Sequence, residues 1–272
     1  VKFLSYLKIS LFVVLFIFFL TSISLADYST TPPKKGRSPC KIEYPSDVKT
    51  EWGCQSLKKG ETLEKRFGAR WKDVARFNRI DRRHAYFGAS LKIPKRLEEI
   101  ENFTPMPEEY PPAREEAKFI LIDLSEQFLA AYEYGRRVLS SPIASGVKVN
   151  DSETPAGEFR ITTAHLAHQS SLYFIEETTT PYPMNYALQF YINRNGISFW
   201  LHGRDLPGYP ASHGCIGLYD EEMQKQAYGF PPHPQLDDAR MLYQWVLGPL
   251  IDSGKVTPLK EGPRVRIIGQ AP

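Results

Sequence analysis

An excess of charge of either sign is what this sequence most plainly lacks. Lys and Arg number 34 against 31 Asp and Glu, a formal net charge of +3, and two of those cations, Lys2 and Lys8, sit in an N-terminal leader. The remainder is close to neutral, which leaves no electrostatic footprint for nucleic acid. Beyond Asp27 no stretch is apolar enough to cross a bilayer, which takes about 20 residues. His165 and His168 form an H-x-x-H pair that with Cys215 offers nitrogen and sulfur ligands. The carboxylate of a zinc-protease motif is missing there, however, and neither metal nor cofactor is expected. No cysteine stands at the leader's cleavage point, which argues against a lipoprotein. Cysteine itself is scarce, at three.

Residues 1–26 read as a signal peptide. Lys2 and Lys8 precede an apolar run over 9–20, and Ser24-Leu25-Ala26 offers the small residues of a cleavage site before Asp27. An uncleaved anchor is the alternative, although a run of about 12 is short for a span. In an exported chain Cys40 and Cys54 become a disulfide candidate. Their bridge would close a loop of about 15 residues and stabilise by ~3 kcal/mol. Cys215 is then left over as a thiol kept for chemistry; three unpaired buried cysteines is the competing possibility.

The rest divides by composition. Residues 27–50, rich in Pro, Ser, Thr and Lys, read as a flexible tether. Residues 51–97 read as a compact strand–helix–helix–strand unit, with a short strand near 57–59, Thr62 capping the first helix, Trp71, Val74 and Phe77 at helical spacing in the second, and a closing strand at 88–94. The prolines at 105, 107, 111 and 112 mark 98–117 as a stiff linker. From 118 to 270 the pattern turns to period-two strands, including a hairpin that turns at Asn195-Gly196, with helices at 220–228 and 237–246.

Ser212-His213-Gly214-Cys215 follows His202-Gly203 by about a dozen positions. A thiol becomes a good nucleophile only as thiolate, which needs a nearby imidazole or aligned backbone N–H groups. The glycine allows close approach to a substrate carbonyl. Cys, His and Gly together amount to an acyl-transfer site.

Ser212 to Ile216, with His202-Gly203, resembles the [S/T]-H-G-C-[I/V] signature of the YkuD-type L,D-transpeptidases. Thr154-Pro155-Ala156-Gly157-Glu158-Phe159 is similar to that family's T-P-x-G-x-F turn, and Pro183-Met184-Asn185-Tyr186-Ala187-Leu188 to the segment before its His-Gly strand. The resemblance implies a mostly β (α+β) fold, a β-sandwich-like catalytic domain with few helices. It implies Cys215 as nucleophile, His202 as general base oriented by the Gly203 carbonyl, Gly214 and Cys215 N–H groups as oxyanion donors, and supporting roles for Ser212 and His213. Two departures stand out. Gly217 replaces a frequent Arg, for which Arg204 is the candidate substitute, and the spacer at 206–210 is short. Tyr173, Phe174, Tyr182, Met184 and Tyr186 either line the substrate cleft or belong to the core.

The 51–97 unit resembles the LysM module, with Gly60-Glu61-Thr62-Leu63, Asn78 and Gly88 to Pro94 in place and a basic insertion at 81–86. Together the resemblances imply a periplasmic or cell-wall enzyme whose partners are peptidoglycan stem peptides and glycan strands. Formation of 3→3 crosslinks is the expected reaction. An L,D-carboxypeptidase or hydrolase using the same site, and a non-catalytic wall-binding protein, are the alternatives.

Overall fold

The computed structural model describes residues 37–148, 152–248 and 254–272. The expected signal peptide and residues 27–36 lie outside the described residues. An N-terminal unit is built from β1 (Trp52–Ser56), α1 (Leu63–Phe67), α2 (Trp71–Phe77) and β2 (Ser90–Pro94). Then come β3 (Phe119–Asp123), β4 (Phe128–Glu133), β5 (Arg136–Pro142), β6 (Gly157–Arg160), β7 (Thr163–Phe174), β8 (Pro181–Ile192) and β9 (Ser198–Arg204). The chain finishes with β10 (Ile216–Tyr219), α3 (Glu221–Tyr228), α4 (Asp238–Leu247), β11 (Thr257–Pro258) and β12 (Arg264–Ile268). The fold is mostly β with few helices, as expected.

Two five-stranded sheets, in the orders β5-β4-β3-β12-β6 and β10-β9-β8-β7-β11, face each other. Period two decides what lies between them. Ile120, Ile122, Leu129 and Ala131 of the first sheet meet Leu188, Phe190, Phe199, Leu201, Ile216 and Leu218 of the second in one core. Helix α4 adds Leu242, Val246 and Leu247 to it.

The alternate residues of β3 and β4 are apolar as well, and this corrects the linker reading of 98–117. Phe119, Leu121, Phe128, Ala130 and Tyr132 turn to the outer face, where Met106 and Ala113 complete a second core with Phe103 and Tyr110 against it. A free linker would leave that face in water. The prolines instead fix a packed strap across the back of the sheet.

The tether reading of 27–50 is corrected over its described part. Residues 37–50 form two short 3-10 turns, Pro39–Lys41 and Pro45–Lys49. Tyr44 is buried and donates to Gly208 O at 2.8 Å. Cys40 and Cys54 are joined by a disulfide with a Cα–Cα distance of 5.8 Å. Pro39 and Pro45 serve as first residues of these turns, where a missing N–H costs nothing.

In the N-terminal unit β1 pairs antiparallel with β2 and Thr62 accepts from Lys65 N as a cap. The first strand lies a few residues earlier than the sequence indicates, and Leu57 is a buried residue after its end. The unit's apolar cluster continues into Ala144, Leu206, Tyr219 and Leu236, so it shares its core with the sheets. Arg79, fully buried, joins three segments: it pairs with Asp47 (3.1 Å) and Glu126 (3.1 Å).

Candidate active site

Strand β9 delivers the site. Phe199 and Leu201 enter the inter-sheet core, so Trp200, His202 and Arg204 emerge on the opposite face. Strand β10 lies parallel beside it, with Ile216 opposite Leu201 and Gly217 opposite His202. Ile216 also enters the core, which puts Cys215 and Gly217 on the His202 face. The sequence separation between His202 and Cys215 is thus closed by pairing of neighbouring strands, not by a loop alone.

Cys215 packs with Tyr182 against Met184, Ala187 and Trp200. Burial pushes its thiol up to about 11, and a hydrogen bond from the Trp200 backbone and the Arg204 charge offset only part of that. His202 is almost fully buried, and burial pushes its imidazole down to about 3. Its Nδ1 lies 2.8 Å from Gly203 O. A carbonyl only accepts, so Nδ1 carries the hydrogen and Nε2 holds the lone pair. Near neutral pH the site therefore carries a neutral thiol and, on the same face, a neutral imidazole in a fixed tautomer.

The turn before Cys215 is held from beneath. Gly214 has φ +106°, and a Cβ there would fall 1.9 Å from Phe199 Cε1. Its carbonyl accepts from Thr154 Oγ1 (2.9 Å), which in turn accepts from Gly146 N (2.9 Å). Ser212 is buried and bonded through its backbone to Ser145 O and Val147 N. Thr154, from the Thr-Pro turn, and Gly146 were not singled out as site residues. The motif around Thr154 carried that signal; nothing around Gly146 did.

Gly203 has its own reason. Asp220, buried at the start of α3, places Oδ2 where a Gly203 Cβ would be, 2.2 Å away. Its Oδ1 caps α3 by accepting from Met223 N (2.9 Å), and burial raises its carboxyl to about 6.

Arg204 turns toward the site. Its side chain crosses Gly217, with Cδ 2.6 Å from an added Gly217 Cβ, and Nη2 donates to Ala211 O at 2.7 Å. Nε is buried without a protein partner. After desolvation, the Arg204 charge is a further cause of the lowered pKa of His213.

The remaining candidates separate. The His213 ring is exposed and stacks on Tyr173 at 4.4 Å between centroids, bringing the β7–β8 tip over the catalytic turn. Phe174, at the same tip, is exposed. Tyr182 donates to Asp205 Oδ1 at 2.5 Å, and Met184 lies in the wall beneath Cys215. Tyr186 goes elsewhere. Its φ of +59° breaks the alternation of β8, and the ring packs on the inter-sheet core, edge-on to Tyr243. It is a core residue, not part of the cleft. His165 and His168 sit side by side on β7, Nδ1 to Nδ1 at 3.1 Å, with His168 over the Trp200 ring.

The family model for the L,D-transpeptidase catalytic domain, YkuD, matches residues 117–267. An L,D-transpeptidase from Xylanimonas cellulosilytica is 24% identical, with TM-score 0.41, over 72% of this chain and 78% of its own. An L,D-transpeptidase from Stackebrandtia nassauensis is 17% identical, with TM-score 0.40, over 77% and 76%. L,D-transpeptidase 3 of Mycobacterium tuberculosis, solved with a faropenem-derived adduct, is 16% identical, with TM-score 0.35, over 56% and 60%. A search of curated proteins finds no match. With a family match over more than half of its length, this chain belongs to the YkuD family of L,D-transpeptidase catalytic domains and is an L,D-transpeptidase enzyme.

Proposed function

We propose that the chain is an exported enzyme that remodels peptidoglycan through a Cys215 thioester, with His202 as base. The observation that carries this reading is the shared face of Cys215 and His202, with His202 Nδ1 committed to Gly203 O. Only Nε2 is left to take the thiol proton. The sulfur attacks the carbonyl carbon of the third stem residue as that proton moves to Nε2. The proton then passes to the departing D-Ala amine, and a thioester remains. The side-chain amine of a neighbouring stem attacks the thioester and loses a proton to His202, which passes it to the departing Cys215 thiolate. A 3→3 crosslink results. The Gly214 and Cys215 N–H groups stabilise the tetrahedral oxyanion; one such donor is worth ~10²–10³ in rate.

Neither residue is charged at rest, so the ion pair forms only as the carbonyl is attacked.

The 51–97 unit is proposed as a LysM-like glycan-binding module, supported by its strand–helix–helix–strand order. Holding the enzyme on glycan would raise the local concentration of stems. The leader of 1–26 is proposed as its export signal. No helix among the described residues is long and apolar enough to cross a membrane.

Incubation with a disaccharide-tetrapeptide, followed by mass spectrometry, tests the reaction. Crosslinked dimer with loss of D-Ala is expected. Tripeptide alone would show water as the acceptor, and untouched substrate would leave a wall-binding role.

A further inference from the structure

The basic insertion at 81–86 lies between α2 and β2 and places Ala85 in the core of the N-terminal unit. It is wedged against the loop that follows β9. Asp81 N donates to Leu206 O at 2.9 Å, and Asp81 Oδ2 accepts from Leu206 N (2.5 Å) and Gln224 Nε2 (3.0 Å). Asp81 Oδ1 accepts from His84 N (2.9 Å) and lies 2.8 Å from His84 Nδ1. The other ring nitrogen, Nε2, is 3.4 Å from Asp205 Oδ2, and Arg83 reaches the same oxygen at 3.5 Å. Asp205 Oδ1 accepts from Tyr182, which packs on the same Met184, Ala187 and Trp200 cluster as Cys215. A line of polar contacts thus runs from the N-terminal unit to the wall of the thiol site.

We propose that His84 is a positioning residue of the acyl-transfer site: as an imidazolium between Asp81 and Asp205 it fixes the loop after His202, and with it Arg204 and Tyr182. The proposal rests on the acyl-transfer reading given above. A neutral ring has one N–H and satisfies one carboxylate; the cation donates to both. The groups around the ring agree. Asp81 and Arg83 face it from its own loop and Asp205 from the loop after β9, while Tyr86, Tyr209 and Arg37 line the small cavity it borders. Burial lowers the His84 pKa, but the two carboxylates outweigh burial and Arg83 and raise it. The charge is present below that raised pKa and lost as pH rises through it, so the site loosens on the alkaline side.

Full-length wild type, His84→Gln, His84→Lys and Asp205→Asn decide the matter. Turnover of disaccharide-tetrapeptide is measured against pH, with Cys215 alkylation by iodoacetamide in parallel and His84 titrated by NMR. His84→Gln should lower kcat/KM roughly 10- to 100-fold and abolish the alkaline fall whose midpoint matches the His84 titration. His84→Lys should restore most of the activity by keeping the cation. Asp205→Asn should lower the His84 midpoint, a result that survives even if His84→Gln fails to fold. A wild-type pH profile in His84→Gln, no rescue by Lys, or a midpoint indifferent to Asp205 overturns the proposal. If wild type turns over no stem peptide, the acyl-transfer reading fails. Alkylation then decides alone: a changed rate in His84→Gln supports positioning, an equal rate overturns it.

Discussion

At the scale of single residues, the site is a pair of groups that burial has pushed apart. Cys215 is raised to about 11 and His202 lowered to about 3, so near neutral pH the proton stays on sulfur until substrate arrives. The reaction of free Cys215 with iodoacetamide should therefore be slow at neutral pH and climb tenfold per pH unit until close to 11. A plateau near neutrality would mean a preformed thiolate–imidazolium pair. Cys215→Ser should retain the fold and lose acyl transfer, because an alkoxide is far harder to form beside a neutral imidazole. Gly217 offers a sharper test, since the Arg204 side chain fills the space of its missing Cβ. Gly217→Ala should displace Arg204 and reduce kcat, whereas in an Arg204→Ala background the same change should be nearly silent. This non-additivity is what two residues sharing one space produce. Equal losses from Gly217→Ala in both backgrounds would remove Arg204 from the site.

At the scale of elements, the catalytic turn depends on a neighbour distant in sequence. Thr154→Val keeps the shape of the side chain and deletes its hydroxyl, leaving Gly146 N and the Gly214 carbonyl without that partner. A loss of ~1–3 kcal/mol of stability is expected, with a fall in kcat beyond what the unfolded fraction explains; denaturant unfolding and kinetics together check it. The strands themselves were unevenly legible. The sequence reads β3, β4, β9 and α2 because their apolar residues recur at the period of the element. It misses β7, which carries His165, His168, Gln169, Ser170 and Ser171 and has a half-exposed face, so no alternation marks it. Its order comes from pairing with β8. The sequence leaves Tyr186 open between cleft and core for a related reason: a left-handed residue shifts the face of everything after it, and period two carries no sign of that.

At the scale of the whole molecule, the N-terminal unit and the sheets form one packed body. Arg79 lies fully buried among Asp47, Ser46 and Glu126, from the N-terminal segment and the β3–β4 turn. Arg79→Met would take the guanidinium from two buried carboxylates, leaving Asp47 only Lys92 and Glu126 only Ser46 among side chains, and should cost up to ~3–5 kcal/mol, read as a large fall in the unfolding midpoint. An unchanged midpoint would mean that the unit is only loosely attached. Removing residues 37–97 should likewise expose Leu206, Tyr219 and Leu236 and strand Glu221, to which Arg82 donates from Nε at 2.7 Å. Acid should destabilise the protein through His202. Its pKa is low when folded and near 6.5 when unfolded, so the unfolded chain takes up the proton first. Stability contributed by the neutral ring is whole above the ordinary histidine value and is lost as pH falls from there toward about 3.

The sequence by itself determined the family motifs, most of the strands and which cysteine stands apart, because these are local: residue type, spacing and period. The tertiary structure decided what the motifs rest on. That Cys215 shares a face with His202 follows from parallel pairing of β10 with β9, and that Gly217 must be small follows from where Arg204 lies. The prolines of 98–117 look the same in a free spacer and in a packed strap. Only the outer faces of β3 and β4, apolar and in need of cover, distinguish the two. The insertion at 81–86 is likewise only basic in sequence. Its partners, Asp205, Leu206 and Gln224, lie more than a hundred residues away, and contact at that distance is fixed by the fold.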